Sequence, residues 1–378
     1  MHGSNDRDGE RKGLTPCAAA FALGCRAASF THGADRSTVP VLSILRREFL
    51  KRQIAVPEHP AVSILVVNYN SGAHLGNALS GLAGQSFGNI EVIVIDNASG
   101  DSSFAHARDA FGEDNRFVFL QAPSNLGFAA GNNLAAAMAR GRWLALLNAD
   151  AVPARDWLEQ LVAASRRHPD VVMFGSTQID AADAQRLDGT GDHYLASGLP
   201  WRGGHGRPAR ELPSEAEVFA PCAAACLIRA DAFREANGFD ERFFCYVEDI
   251  DMAFRLRLMG HSCVQVPAAV VRHVGAVSAS SHDKAFADRY GTRNLIWCFV
   301  KCMPGPLFWP VLPLHVVTLL LWAARIGKPA WAGIWQALKG MSAIWTSRLS
   351  LQRARRAPWW RIASALSWNP VDYFRRAP

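Results

Sequence analysis

The sequence predicts an α/β protein, an open, mostly parallel sheet with helices on both faces, followed by an amphipathic helical C-terminal tail. Three observations lead there. Continuous apolar runs at 62–67, 90–95 and 143–147 have the length and composition of strands buried on both faces. Between the first two, Leu75, Leu79 and Leu82 recur at helical spacing. Strand-like and helix-like segments then alternate along the chain, which calls for right-handed crossovers and parallel pairing.

The first strand, 62–67, ends in Asn68-Tyr69-Asn70, and the second, 90–95, in Asp96-Asn97. The unit repeats with a helix over 101–111, a strand over 117–120, an Ala-rich helix over 128–140 and the strand 143–147, which ends in Asn148-Ala149-Asp150. A helix over 157–167 leads to a strand at 171–174. Residues 180–217, rich in Gly, Pro and charge and weak in periodicity, read as a long irregular insertion of the lid type. Order resumes with an apolar segment at 223–228, a helix over 231–236, a turn at Gly238-Phe239-Asp240 and a helix over 248–259. Strands at 263–266 and 269–271 follow, the second delivering Arg272-His273.

Composition bounds the function. The net charge of +7 splits into +3 over residues 1–60, −6 over 61–300 and +10 over 301–378, where eight of the twelve Trp also lie. An acidic body and a basic aromatic tail are expected to meet different partners. With 49% hydrophobic and 19% charged residues the chain is no disordered polyelectrolyte, and a mean hydropathy of +0.01 excludes a multi-span membrane protein. The eight cysteines form no CxxC pair; Cys222/Cys226 and Cys298/Cys302 lie in apolar surroundings and read as reduced core thiols of a cytoplasmic protein, not as zinc ligands. The absence of GxGxxG, GxxxxGK and GxSxG patterns argues against dehydrogenases, P-loop ATPases and nucleophile-elbow hydrolases.

In such sheets ligands bind outside the carboxyl ends of the strands, and here three ends carry Asn68/Asn70, Asp96/Asn97 and Asn148/Asp150. Any one of these polar pairs could simply make a turn; three on one rim point to a binding site. Asp150 is suited to a divalent cation that bridges phosphate oxygens, with His273 as a further ligand. Glu248, Asp249 and Asp251 lie within one helical turn beside Phe243, Phe244 and Tyr246. They complement a helix N-terminus, and their mutual repulsion would raise at least one proton affinity toward that of a working base.

These segments carry a resemblance. Val66-Val67-Asn68-Tyr69-Asn70, Val94-Ile95-Asp96-Asn97-Ala98-Ser99, Asn125 through Asn133, Leu147-Asn148-Ala149-Asp150, and Gly238-Phe239-Asp240 through Glu248-Asp249-Ile250-Asp251 resemble, in order and spacing, the signature of family 2 glycosyltransferases, closest to its rhamnosyltransferase-like branch. The resemblance covers about residues 61–300 and implies a GT-A fold, inversion at the anomeric carbon, a nucleotide-sugar donor and Mg²⁺ or Mn²⁺. It implies a nucleotide pocket lined by Asn68, Asn70 and Asn97, with Asp96 on a pyrimidine base. Asn125, Gly127 and Asn132 would sit near the nucleotide sugar. Asn148 and Asp150 stand where the family has Asp-x-Asp, so Asp150 would be the metal ligand, joined by His273. Asp249 would be the base that deprotonates the acceptor, with Asp251 and Glu248 as neighbouring candidates.

The organisation expected is a poorly ordered leader over 1–57 with a helix near 44–53, a GT-A body over 58–300 and a basic, Trp-rich region over 301–378. The body divides into a nucleotide-sugar half, 58–178, and an acceptor half, 179–300. Residues 307–324 are apolar, but Pro310, Pro313 and His315 interrupt them, and a single crossing would place the body away from cytosolic nucleotide sugars. A re-entrant or surface-lying segment is expected instead. Trp331, Ile334, Trp335, Leu338, Met341 and Trp345 share one helical face, followed by Arg348, Arg353, Arg355, Arg356 and Arg361 with Trp359 and Trp360. Such a face fits an anionic bilayer surface; a hairpin packed on the body is the alternative. With no nucleic-acid module present, nucleic acid is not expected as a partner. The sequence thus predicts a metal-dependent inverting transferase at the cytoplasmic face of the cell membrane, moving a sugar, rhamnose from dTDP-rhamnose, to a lipid-linked or cell-surface glycan. The alternative is a catalytically inactive, membrane-bound scaffold that binds a nucleotide sugar.

Overall fold

Strands β1 (Val62–Asn68), β2 (Ile90–Asp96), β3 (Phe117–Gln121) and β4 (Trp143–Leu147) lie in the order β3-β2-β1-β4, all parallel. The computed structural model describes residues 59–275 and 284–374, so the expected leader and its helix at 44–53 lie outside the described residues. Every residue of β2 is buried, as expected of a strand covered on both faces. Helix α1 (His74–Ala83) turns Leu75, Leu79 and Leu82 into this core, and α2 (Ser103–Phe111) adds Phe104 and Ala107. Helix α3 (Gly127–Met138) approaches β1 closely because Gly131 has no side chain; a Cβ there would lie 2.9 Å from Val67. A short β5 (Ala151–Pro153) and α4 (Trp157–Arg167) complete this half.

The sheet then changes direction. Of β6 (Met173–Asp180), β7 (Leu187–Gly189), β8 (Asp192–Tyr194), β9 (Pro200–Arg202), β10 (Ala216–Glu217), β11 (Ala225–Arg229) and β12 (Cys263–His273), four extend it as β4-β11-β6-β12-β10 and β7 pairs with β6, while β8 and β9 form a separate two-stranded sheet. β11 is antiparallel to both β4 and β6, while β6 and β12 are parallel. Two details differ from the sequence reading. The strands expected at 263–266 and 269–271 are one strand whose register shifts between Val266 and Val270, where Pro267 has no N–H for the ladder. Residues 180–217 are not irregular: they contain β7 and the antiparallel hairpin β8–β9, with Leu187, Tyr194 and Trp201 buried. Strands of two or three residues are too short to show alternation in sequence.

Helices α5 (Ala230–Glu235) and α6 (Glu248–Leu258) lead to the C-terminal assembly: α7 (Lys284–Cys302), α8 (Gly305–Ile326), α9 (Lys328–Lys339), α10 (Met341–Ala354), α11 (Trp359–Ala365) and α12 (Pro370–Phe374). Helix α7 is locked to the body by buried charge. Lys301 Nζ lies 2.6 Å from Asp251 and 2.7 Å from Asp240, and Asp251 also pairs with Arg255 at 2.8 Å. Burial disfavours the charge on Asp240, but Lys301 and Arg242 outweigh it and hold the carboxyl well below its ordinary range.

The outer helices pack through small residues: Ala330, Gly333 and Ala337 of α9 are buried, whereas Trp331, Trp335 and Leu338 are exposed. The apolar stripe expected over 331–345 breaks at Gly340, where a Cβ would lie 2.5 Å from the Trp297 ring. Helix α8 is long and apolar enough to cross a membrane, and Leu307, Val311, His315, Leu319 and Ala323 along one edge are buried. His315 Nδ1 meets the Ser197 carbonyl at 2.7 Å, and Trp322 Nε1 donates to Thr292 at 3.1 Å, so this edge is held by the rest of the protein. Lys301→Met is expected to remove the cation shared by Asp251 and Asp240, leaving them to Arg255 and Arg242, and to destabilise the fold by about 3 kcal/mol, read from urea unfolding.

Candidate functional site

The expected rim forms. The registers of β1 and β2 place Asn68 beside Asp96, and β4 delivers Asn148 and Asp150 on the other side of β1. The first two residues, however, use their polar groups inside the protein. Asn68 is fully buried, and its Nδ2 donates to Asp96 at 2.8 Å, Ser103 at 2.9 Å and Ser99 at 3.1 Å. The Asp96 carboxylate also accepts from Ser99 and from Gln121 Nε2 at 3.0 Å. Both residues are fully buried and tie the ends of β1 and β2 to the segment at 99–103. Asn70 is exposed, at φ 50°, and accepts from the Gly100 N–H at 2.7 Å. Asn97 donates to the Gly127 carbonyl at 3.0 Å and leaves its own buried Oδ1 without a partner. Asn125 accepts from the Gly127 N–H at 2.9 Å, and buried Asn132 donates to the Phe128 carbonyl at 3.0 Å.

Asp150 and His273 meet as the sequence suggested, with 3.4 Å between Oδ1 and Nε2; Asn148 Nδ2 is 3.4 Å from the same nitrogen. The opposite ring nitrogen, Nδ1, lies 2.8 Å from Asp188, which in turn pairs with Arg202 at 2.6 Å. Burial works against the imidazolium, but Asp150 and Asp188 outweigh it and push His273 up to about 9. An oxygen and a nitrogen donor side by side, with a carboxylate orienting the imidazole from behind, fit a divalent cation.

Asp249 stands in the first turn of α6, half-buried, accepting from the Ile250 N–H at 2.8 Å and the Ala223 N–H at 3.2 Å. Burial raises its proton affinity above the ordinary carboxylate range. The other two carboxylates of this turn differ. Glu248 is buried, with Oε2 unpartnered and its proton affinity well raised by burial and by Asp249. Asp251 points away into the Lys301–Arg255 cluster with no exposed surface.

The loop before α6 is strained. Phe244, Tyr246 and Val247 have φ of 65°, 70° and 68°, which for such side chains costs on the order of 1–3 kcal/mol each. Helix α7 holds it there. Asn294 Nδ2 donates to the carbonyls of Phe243, Cys245 and Tyr246 at 2.8–2.9 Å, and Arg293 reaches those of Arg242 and Phe243. Gly127, at φ 81°, lies under Phe244, where a Cβ would be 2.5 Å from the ring.

Sequence reasoning missed Asp188 and Asp192, both inside the stretch read as irregular. Ligand atoms of Asp192, Cys222 and Asp249 lie within 4.8 Å of one another. Burial and the Asp249 charge push Asp192 up to about 8, against the Arg202 charge, which also acts on Asp249. A run of ionisable groups, Asp150–His273–Asp188–Arg202–Asp192–Asp249, therefore joins the candidate metal position to the candidate base. The only sequence signal was two Asp in the Leu187-Asp188-Gly189-Thr190-Gly191-Asp192 stretch.

Parts of the chain are similar to known proteins. The family model "Glycosyl transferase family 2" matches residues 63–235. An uncharacterized glycosyltransferase of Haemophilus influenzae is 27% identical over 117 residues, 31% of this chain and 36% of that protein. The N-acetylglucosaminyl-diphospho-decaprenol L-rhamnosyltransferase of Mycobacterium tuberculosis is 28% identical over 233 residues, 56% of this chain and 75% of that protein. Among solved structures, GalNAc-T7 with UDP, GalNAc and Mn²⁺ superposes with a TM-score of 0.54 at 14% identity, over 76% of this chain and 58% of that one. The fold is GT-A.

Because Asp192 is buried with a raised pKa, the fold favours its neutral form. Its contribution to stability is full below about pH 4 and is lost as the pH rises to about 8. Asp192→Asn is therefore expected to flatten the fall in Tm over that window, measured by thermal unfolding at a series of pH values.

Proposed function

Starting from a glycosyltransferase with a family 2 domain at residues 63–235, we propose an inverting, metal-dependent enzyme that transfers rhamnose from dTDP-rhamnose to a lipid-linked sugar at the inner face of the cell membrane. The observation that carries it is the half-buried Asp249, in the first turn of α6 directly after a strained loop and linked through the charges of Arg202 and Asp188 to the Asp150–His273 pair. Asp249 takes the proton of the acceptor hydroxyl as its oxygen bonds to the anomeric carbon; the carbon–oxygen bond to the diphosphate breaks and the nucleoside diphosphate leaves with the electron pair. One displacement with one base inverts the centre and requires no protein nucleophile. A Mg²⁺ or Mn²⁺ ion on Asp150 and His273 would neutralise charge on the leaving diphosphate. Asp188 fixes the His273 ring so that Nε2 faces Asp150. Asn97, with its unpartnered Oδ1, and Asn125 at the mouth of α3 are placed to meet the donor, over the frame built by Asn68 and Asp96. Asp251 serves as an anchor for α7.

The donor and acceptor are suggested by the mycobacterial rhamnosyltransferase, whose name specifies a sugar on a diphospho-lipid. The membrane contact is supported by the outer faces of the helical assembly. Trp309, Leu314, Val317, Leu320 and Leu321 on α8 and Trp331, Trp335 and Leu338 on α9 are exposed, beside the exposed Arg325, Lys328 and Lys339. Further on, Trp359 and Trp360 are exposed with Arg353 and Arg361. Not every tail arginine contributes: Arg348 is buried, stacked 4.1 Å from the Phe308 centroid with its guanidinium on the Val300 and Met303 carbonyls. Because α8 is held along one edge, it lies on the surface with its apolar outer face in lipid.

In transfer assays with a panel of nucleotide sugars and Mg²⁺ or Mn²⁺, Asp249→Asn is expected to keep donor binding and lose at least about 100-fold in turnover. Undiminished activity, or no turnover of any donor by the wild type, would overturn the reading. In liposome flotation the full chain is expected to be recovered more with anionic than with neutral vesicles, since each surface cation adds about 1 kcal/mol. Replacing Trp331 and Trp335 by Ser should lower recovery with both.

A further inference from the structure

Beside Asp249 the structure holds a cluster of half-exposed rings with no role in the site described above. Phe286 and Tyr290 of α7 stack with centroids 4.2 Å apart. Phe244 lies 5.7 Å from Tyr290 and 6.1 Å from Phe286, and Tyr246 lies 6.5 Å from Phe286. Two of these rings belong to the strained loop that leads into Asp249, and Phe244 also rests on Gly127 at the entrance to the donor-side helix. The shelf therefore touches both sides of the reaction centre.

Two arginines accompany it. Arg293 stacks 4.3 Å from the Tyr290 centroid and directs its guanidinium to the loop carbonyls. Arg289 lies 5.2 Å from the same ring, and its buried Nε makes no hydrogen bond. Among the described residues neither arginine forms an ion pair with a carboxylate, in a body that is otherwise acidic. The Arg289 backbone is fixed as well: Gly333 of α9 packs so tightly on its carbonyl that a Cβ would overlap it. The planar fork of a guanidinium matches phosphate oxygens. Flat aromatic faces suit the apolar C–H face of a pyranose.

We propose that Phe244, Tyr246, Phe286, Tyr290 and Arg289 form the acceptor subsite, taking a sugar ring on the aromatic faces and the diphosphate attached to it on the Arg289 guanidinium. This deepens the reading of the chain as a transferase acting on a lipid-linked sugar and rests on it. The subsite selects acceptors by their diphosphate, so a neutral glycoside of the same sugar is a poor substrate.

The test is equilibrium binding to the full chain of two probes, N-acetylglucosaminyl diphosphate with a short alkyl chain and the alkyl N-acetylglucosaminide without phosphate, with dTDP binding measured in parallel. The wild type is expected to prefer the diphosphate probe by about tenfold or more. Arg289→Ala should erase that preference and leave dTDP binding unchanged. Tyr290→Leu should weaken both probes alike and keep the preference. Equal preference in Arg289→Ala and the wild type would overturn the proposal, as would binding of neither probe by the wild type. A matching loss of dTDP affinity in Arg289→Ala would assign the arginine to the donor and also overturn it. Turnover of a donor by the wild type, measured separately, shows whether the transferase reading survives such a failure.

Discussion

The fold depends on one buried cation. Lys301 lies at the end of the helix that follows the last strand of the sheet, and its ammonium sits between Asp251 and Asp240 with almost no solvent contact. Removing charges from water is costly, so the arrangement is stable only with all partners in place. That requirement fixes where α7 docks. Once it has docked, Asn294 and Arg293 reach the carbonyls of the loop at 242–246 and hold three residues at positive φ. The strained loop in turn presents Asp249. The position of Asp249, the proposed base, is thus set by a helix outside the family 2 match at residues 63–235.

Carboxylates behave oppositely because their neighbours differ. Asp240 sits between Lys301 and Arg242 and keeps its charge; Asp192 is buried beside Asp249 and tends to hold a proton. Asp249 and Asp251 are two residues apart on one helix, but the turn of the helix points one toward the half-open side and the other into the Lys301 cluster. The hairpin β8–β9 brings Arg202 to Asp188 at 2.6 Å, where its charge also acts on Asp192 and Asp249.

The helical tail is built inside out compared with a soluble helix pair. In α9 small residues face the body and large aromatic ones face outward, because close approach of α9 to α7 needs Gly333 and Ala337 at the contact. The Trp and Leu side chains that would ordinarily fill a core are left at the surface next to lysine and arginine, a distribution that suits the boundary between lipid and water.

By itself, the sequence determined the parallel half of the sheet, its helices and the polar strand ends. Continuous apolar runs and helical spacing are local patterns, legible without knowledge of contacts. It also placed Asp150 with His273 and marked Asp249. It did not separate Asp249 from Asp251 in environment, or Asn68 and Asp96 from residues open to the pocket, since burial and pairing are properties of the folded neighbourhood. Short strands hid the insertion, and with it Asp188, Asp192 and Arg202. Those assignments waited on the tertiary structure, because a side chain's charge state and reach depend on groups tens or hundreds of residues away: Lys301 lies 50 positions from Asp251 and Asp188 lies 85 from His273, distances that no local pattern records.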